Sequence, residues 1–377
     1  VEKNLKKIFV LSAINIVDGG PSKILYDSLY SLDKVLPINW QIYALVHSPI
    51  KIKLKRIKFL AFPASKKNWL IRLFFEYCYF YFLAKKIKPN FWLSLHDTSP
   101  NIGDVEQSVY FHNPSPFYKV SLKEAILEPK FFIFSKFYFF VYRFGIKKNK
   151  YVIVQQDWIK NILEKKLNIK NILVAYPNTS YKDKNVKKND INKFCNPRKT
   201  TFFFPTFPRV FKNIEILIEA AKILNQRGLS SYEIIVTING LENLYSRYLV
   251  YKYRNIKNIK FIGFQKPSNI KNIYAHCDLV VFPSKLETWG LPIREAISFN
   301  KNILVANLPY AKETIGNYKK FIFFNPYSSK DLASKMISII DKKIIYSKNN
   351  FLSDDVILKW DDLWPKIITD LYEKKPK

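Results

Sequence analysis

The sequence predicts an α/β protein made of two doubly wound, Rossmann-like domains. Three observations carry that reading. The chain has 377 residues, more than one hydrophobic core usually fills. Short apolar runs alternate with longer helical stretches, the order that builds a parallel sheet covered by helices. The alternation also stops in a polar segment rich in Lys and Asn, residues 181–200, and then restarts more cleanly, as expected of a linker between domains.

Lys6-Lys7-Ile8-Phe9-Val10-Leu11 reads as the first strand and lacks the layout of a signal peptide. The turn Asp18-Gly19-Gly20-Pro21-Ser22 follows, and Ile24, Leu25, Leu29 and Leu36 then recur at helical spacing. Residues 42–46, 91–95, 108–111 and 151–154 read as further strands of a first domain, 1–180. Past the linker, strands are expected near 201–204, 233–238, 260–262, 278–282, 302–305 and 321–324, forming a second domain over 201–354. Ile357, Leu358, Leu363, Ile367 and Leu371 suit a closing helix within 355–377, which Pro365 should kink or divide.

Hydrophobic residues at 48% and aromatic residues at 16% place the chain among globular proteins. Its net charge of +32 suggests an anionic partner: nucleic acid, anionic lipid or a phosphorylated substrate. Up to residue 180 there are 28 basic and 12 acidic residues, and beyond it 34 and 18, so each half carries +16 and no basic tail exists. A genome that favours Lys, Ile and Asn is the plainer cause of the same excess. Cys78, Cys195 and Cys277 are scattered, which argues against a disulfide framework or a zinc site and fits a reducing cytoplasm.

Residues 69–84 and 131–144 are apolar enough to test for membrane contact. Arg72 and Glu76 interrupt the first and Lys136 and Arg143 the second, so neither supplies the ~20 apolar residues needed to cross a bilayer. Lys66-Lys67, Lys85-Lys86 and Lys147-Lys148 flank them, as in helices that lie in a lipid headgroup layer. Ordinary core helices with solvated lysine ends have the same composition.

The segment from Phe282 to Ala296, FPSKLETWGLPIREA, concentrates the chemistry. A strand ends at Phe282, Gly290 permits close backbone approach, and Pro292 suits a first helical turn. Open α/β sheets bind ligands at such strand ends, and the amides of a helix start hold phosphate. Glu287 then projects from the loop while Glu295 lies about one turn inside the helix, and paired carboxylate acceptors suit sugar diols. Surface solvation with favourable dipole placement is the plainer reading of two such glutamates.

This segment, Pro-Ser-x-x-Glu-x-x-Gly-Leu-Pro-x-x-Glu-Ala, resembles the Glu–seven residues–Glu signature of glycosyltransferase family 4, which are retaining GT-B enzymes. Gly19-Gly20-Pro21, Val154-Gln155, Tyr176-Pro177-Asn178 and the run Phe207-Pro208-Arg209-Val210-Phe211-Lys212-Asn213 resemble further parts of that family. Tyr110-Phe111-His112-Asn113-Pro114-Ser115-Pro116-Phe117-Tyr118 is similar to a subgroup of bacterial O-antigen and capsule clusters. The resemblance covers essentially the whole chain. It implies two Rossmann-like domains facing each other across a donor cleft. Glu287 would contact hydroxyls of the donor sugar and Glu295 its ribose. Arg209, Lys212, Gly20 and the Gly290 and Leu291 amides would hold the diphosphate. His112, after a strand and before a Pro-rich loop, would work near the transferred sugar or acceptor. Two features depart from the family: Asn300 replaces a usual glycine, and Trp289 replaces the more usual Phe beside Gly290. Asn tolerates the left-handed conformation that the turn at 300 needs.

The expected activity is transfer from a nucleotide-diphosphate sugar to a polyprenyl-diphosphate-linked oligosaccharide, on the cytoplasmic side of an anionic membrane. No cofactor or metal is expected, because no Asp-x-Asp cluster appears. The rival readings are a basic protein that binds nucleic acid nonspecifically and an inactive transferase-like membrane partner. The even charge split and the absence of a nucleic-acid motif count against the first, and the intact Glu and Lys/Arg set against the second.

Overall fold

The computed structural model describes residues 6–16, 20–50, 52, 54–176, 194–351 and 357–372, and it divides the chain into two compact units. The first comprises 1–116, 137–179 and 353–377, the second 117–136 and 180–352.

The first unit is laid down as β1 (Lys7–Ala13), α1 (Gly20–Val35), β2 (Trp40–Val46), β3 (Ile57–Ala61), α2 (Trp69–Phe74), a π-helical stretch (Phe75–Tyr79), α3 (Phe80–Ile87), β4 (Phe91–Ser94) and β5 (Gln107–Phe111). α4 (Leu122–Leu127) belongs to the second unit, and α5 (Pro129–Arg143) runs from one into the other. The first unit resumes with β6 (Tyr151–Val154), α6 (Asp157–Leu167) and β7 (Ile172–Tyr176). Its strands are parallel in the order β3-β2-β1-β4-β5-β6-β7, and a two-residue strand, Leu358–Lys359, extends the sheet beside β7. Both faces are covered, which is why β1 is apolar without alternation. Phe9, Leu11 and Ala13 enter one core cluster, and Val10 enters another with Phe80, Ala84 and Trp92.

The second unit contains β8 (Thr200–Phe204), α7 (Ile214–Gln226), β9 (Tyr232–Val236), α8 (Leu244–Tyr253), β10 (Ile259–Phe261), α9 (Pro267–His276), β11 (Leu279–Phe282), α10 (Leu291–Ser298), β12 (Asn302–Ala306), α11 (Pro309–Ile315), β13 (Phe321–Phe324) and α12 (Ser329–Ile340). Its parallel order β10-β9-β8-β11-β12-β13 reverses between β8 and β11. The first sheet reverses in the same way between β1 and β4. At such a reversal two successive crossovers leave in opposite directions, so the loops beyond the strand ends open a crevice. Asn300 takes a positive φ of 53°, the left-handed turn expected where a glycine is usual.

The boundaries differ from the sequence reading in two places. The stretch 117–136, placed by sequence in the first domain, groups with the second unit because its side chains anchor there. Phe131 packs on Phe211 at 5.3 Å, Glu128 pairs with Arg209, and Lys285 approaches Glu124 at 3.5 Å. The last helix, α13 (Trp360–Tyr372), is part of the first unit. Trp360 lies on Tyr110 at 5.2 Å, the Trp364 indole N–H donates to Ser31 at 2.9 Å, and the Ser31 hydroxyl donates to Asp361 at 2.6 Å. Pro365 does not divide this helix. The ~3 kcal/mol that an interior proline costs is outweighed by the buried stripe Trp360, Leu363, Trp364, Ile367 and Ile368. Residues 181–193 of the expected linker lie outside the described residues, and Thr200 already opens β8.

Candidate active site

The reversal in the second sheet places the loop after β8 beside the loop after β11. They are stitched together by backbone and side-chain bonds. The Lys285 amide donates to the Phe211 carbonyl at 2.7 Å, and the Asn213 side-chain amide donates to the carbonyls of Pro283 and Pro326 at 3.1 and 2.9 Å. Asn213 itself is left-handed (φ 56°), which lets the chain turn from the loop into α7.

This stitching brings Lys212 onto Glu287. The ammonium forms a close ion pair with Glu287 Oε1, both groups are largely buried, and the lysine also faces the Phe282 and Phe211 rings at 5.7 Å. Gly290 caps α10 in the left-handed region (φ 64°), where an added Cβ would meet Ile293 Cδ1 at 3.1 Å. Leu291 starts the helix; in its first turn Pro292 has no amide hydrogen and the Ile293 amide donates to the Gly290 carbonyl at 2.8 Å. Glu295 lies one turn on, its Oε2 accepting from the Tyr274 hydroxyl at 2.8 Å; Tyr274 is in turn stacked on Phe299 at 5.4 Å.

Arg209 shares the β8 loop but turns elsewhere. Its Nε lies 2.8 Å from Glu128 Oε1 and its guanidinium sits 5.2 Å from the Phe131 ring. Burial raises the Glu128 carboxyl above its usual value, opposed by the Val210 amide and the Arg209 charge. Lys212, Glu287, Gly290, Leu291 and Glu295 thus share one pair of loops, while Arg209 is drawn to the 117–136 segment. Glu128 and Tyr274 carry no sequence signal, because their roles come from strand order and from a distant segment.

Gly20 and His112 belong to the first unit. Gly20 opens α1, and Gly19, Pro177 and Asn178 lie outside the described residues. His112 follows β5 in a loop fixed by Asp97, a residue the sequence reading passed over. Asp97 Oδ1 accepts the backbone amides of His112 and Asn113 at 2.6 and 2.9 Å and stands 3.6 Å from His112 Nδ1. Asp97 is left-handed as well, with φ 66°.

Behind it lies a buried polar cluster at the β1/β4 reversal. His96 contacts Ser12 through Nε2 and Thr98 through Nδ1, each at 3.2 Å, and lies 3.7 Å from Glu76, which the Arg72 Nε–H reaches at 3.0 Å. Burial, then the Arg72 and His112 charges, hold His96 well below its usual pKa, so its imidazole is neutral near pH 7. Burial raises the Glu76 carboxyl against the pull of Arg72. Among the described residues no three His, Cys, Asp or Glu side chains gather as a metal cage would require.

A cation and a carboxylate held at a sheet reversal, ahead of a helix start, suit an anionic ligand that also carries hydroxyls. Residues 183–351 match the model of the family "Glycosyl transferases group 1". Over that stretch the chain is similar to the group 1 glycosyltransferases. The O-antigen chain mannosyltransferase RfbU of Salmonella typhimurium is 23% identical over 283 residues, 73% of either chain. Among solved structures, sucrose-phosphate synthase of Thermosynechococcus elongatus is similar at a TM-score of 0.65 and 13% identity, covering 89% of this chain and 90% of that one. Anabaena HepE with UDP and glucose is similar at 0.57 and 14%, covering 89% and 91%. The fold is therefore GT-B, and none of these relatives supports a nucleic-acid-binding role.

Proposed function

We propose that this protein is a glycosyltransferase that moves a sugar, with retention of anomeric configuration, from a nucleotide-diphosphate donor to a lipid-linked oligosaccharide in bacterial surface-polysaccharide assembly. The observation that carries the reading is the Lys212–Glu287 pair at the β8/β11 reversal, directly ahead of α10. Lys212 and the amides of Gly290 and Leu291 would neutralise the leaving diphosphate, the charge that grows as the glycosidic bond breaks. Arg209 joins them by exchanging Glu128 for the phosphates, and the half-buried Glu128 keeps the guanidinium in place beforehand. Glu287 orients donor-sugar hydroxyls and Glu295 holds the ribose. His112, its loop pinned by Asp97, serves the transferred sugar or acceptor. No metal is required, because cationic side chains and amides already supply the charge.

The Salmonella relative is named for O-antigen chain mannose transfer, as is a mannosyltransferase of Escherichia coli that is 28% identical over 107 residues, so mannose is the first sugar to test. A lipid-linked acceptor places the enzyme peripherally at a membrane. The test is a thermal-shift screen against UDP, GDP, dTDP and CDP, followed by transfer assays with the sugar of the responding base. One base class should raise the melting temperature, since a ligand at a hundred times its Kd adds about 2.7 kcal/mol. No shift with any nucleotide, and no transfer, would defeat the proposal.

A further inference from the structure

The first unit presents an aromatic face that no described segment covers. Phe137 and Phe140 on α5, and Phe144 directly after its last residue, recur three and four residues apart. On α2, Leu70 and Phe74 do the same. These five side chains are 56–69% exposed. The opposite sides of both helices are fixed inward: Tyr142 donates to the Asn113 carbonyl at 3.1 Å and Tyr138 is hydrogen-bonded to Arg72, while just past α2 Glu76 and Phe80 are wholly buried. The helices are neighbours, with Trp69 on Tyr138 at 6.4 Å and Tyr77 edge-on to Phe144 at 5.2 Å. The two apolar segments that sequence could treat only separately are therefore parts of one surface.

Single exposed apolar residues are ordinary, but five on adjoining helices, held by buried polar anchors, form a patch of the kind that meets a partner. The charge around it selects that partner. Lys66 and Lys67 precede α2, Arg143, Lys147 and Lys148 follow the α5 rings, and all five are exposed. Neither stretch, 62–75 or 129–156, contains an acidic residue. Among the described residues no helix is long and apolar enough to cross a membrane.

We propose that this face is the docking surface for an anionic phospholipid bilayer, the rings entering the interfacial layer and the basic residues meeting headgroup phosphates. A second copy of the chain fits less well. A symmetric pairing would bring together two copies of the stretches 62–75 and 129–156, which carry basic residues and no acidic ones, so that their charges repel. The proposal deepens the reading of a lipid-linked acceptor, since it holds the enzyme at the layer where such an acceptor resides.

The test is co-sedimentation of the full chain with vesicles of phosphatidylcholine alone, or of phosphatidylcholine and phosphatidylglycerol in equal parts. The wild type should bind the anionic vesicles, less so as salt rises, and the neutral ones weakly. The triple variant Phe137→Ser, Phe140→Ser, Phe144→Ser should weaken binding to anionic vesicles by about tenfold or more. Lys147→Glu with Lys148→Glu should weaken binding to anionic vesicles only. Melting temperature is the control for folding, and the charge variant keeps the question open to disproof should the triple variant misfold. Wild-type vesicle binding by both variants would overturn the proposal. So would a concentration-dependent dimer in light scattering that the triple variant abolishes, with no vesicle binding by the wild type. A nucleotide-induced thermal shift retained without any vesicle binding would sink this surface and leave the donor-site reading standing.

Discussion

At the scale of single residues, the site rests on side chains whose partners are fixed by loops rather than by neighbours in sequence. Glu287 and Lys212 are joined across 75 positions. Glu287→Ala and Lys212→Ala should each lower transfer by roughly two to three orders of magnitude, as loss of a transition-state contact does, and each also lowers the melting temperature, because its largely buried partner is left unpaired. Near-wild-type transfer by folded Glu287→Ala would remove it from the donor site. For Asp97 the expected loss is in stability. Replacing it with Ala leaves the His112 and Asn113 amides without their acceptor and should cost about 2–3 kcal/mol in urea unfolding, with Asp97→Asn costing less. The glutamates were legible because both lie in one contiguous motif. Asp97 was not, because its role appears only when β4 and β5 lie side by side.

At the scale of elements, caps and turns decide where the site's parts point. Gly290 is left-handed at the start of α10, so Gly290→Ala should strain that turn by about 1–2 kcal/mol and weaken nucleotide-induced thermal shifts. α4 is closed by a capping box in which the Ser121 amide donates to Glu124 at 2.8 Å and the Glu124 amide to Ser121 Oγ at 3.3 Å. Burial alone would raise the Glu124 carboxyl; the Ser121 amide, the Tyr118 hydroxyl and the Lys285 ammonium outweigh it and hold the group below its ordinary value. A depressed carboxyl contributes stability above the unfolded value of 4.5 and loses it as pH falls through the folded value. Glu124→Gln should therefore flatten the decline of stability below about pH 4.5, read as urea midpoint against pH. Strand β3 was not singled out in the sequence: it is only five residues long and Lys58 interrupts its apolar run, as suits the edge strand it forms.

At the scale of the whole molecule, each unit is completed by chain that sequence order assigns elsewhere. Trp364 in the last helix meets Phe9 of β1 edge-on at 6.4 Å, so Trp364→Ala should destabilise the first unit by about 3–5 kcal/mol, seen in thermal or urea unfolding. A cost under 1 kcal/mol would mean that α13 contributes little to that core. From sequence alone came the α/β class, two sheets, the Glu287–Glu295 motif and its helix start, because each is written in local periodicity and spacing. Only the tertiary structure decided that 117–136 leaves the first unit, that α13 joins it, that Arg209 rests on Glu128, and that two aromatic helices make one face. Those facts depend on which distant surfaces bury each other, and local patterns carry no record of the partner.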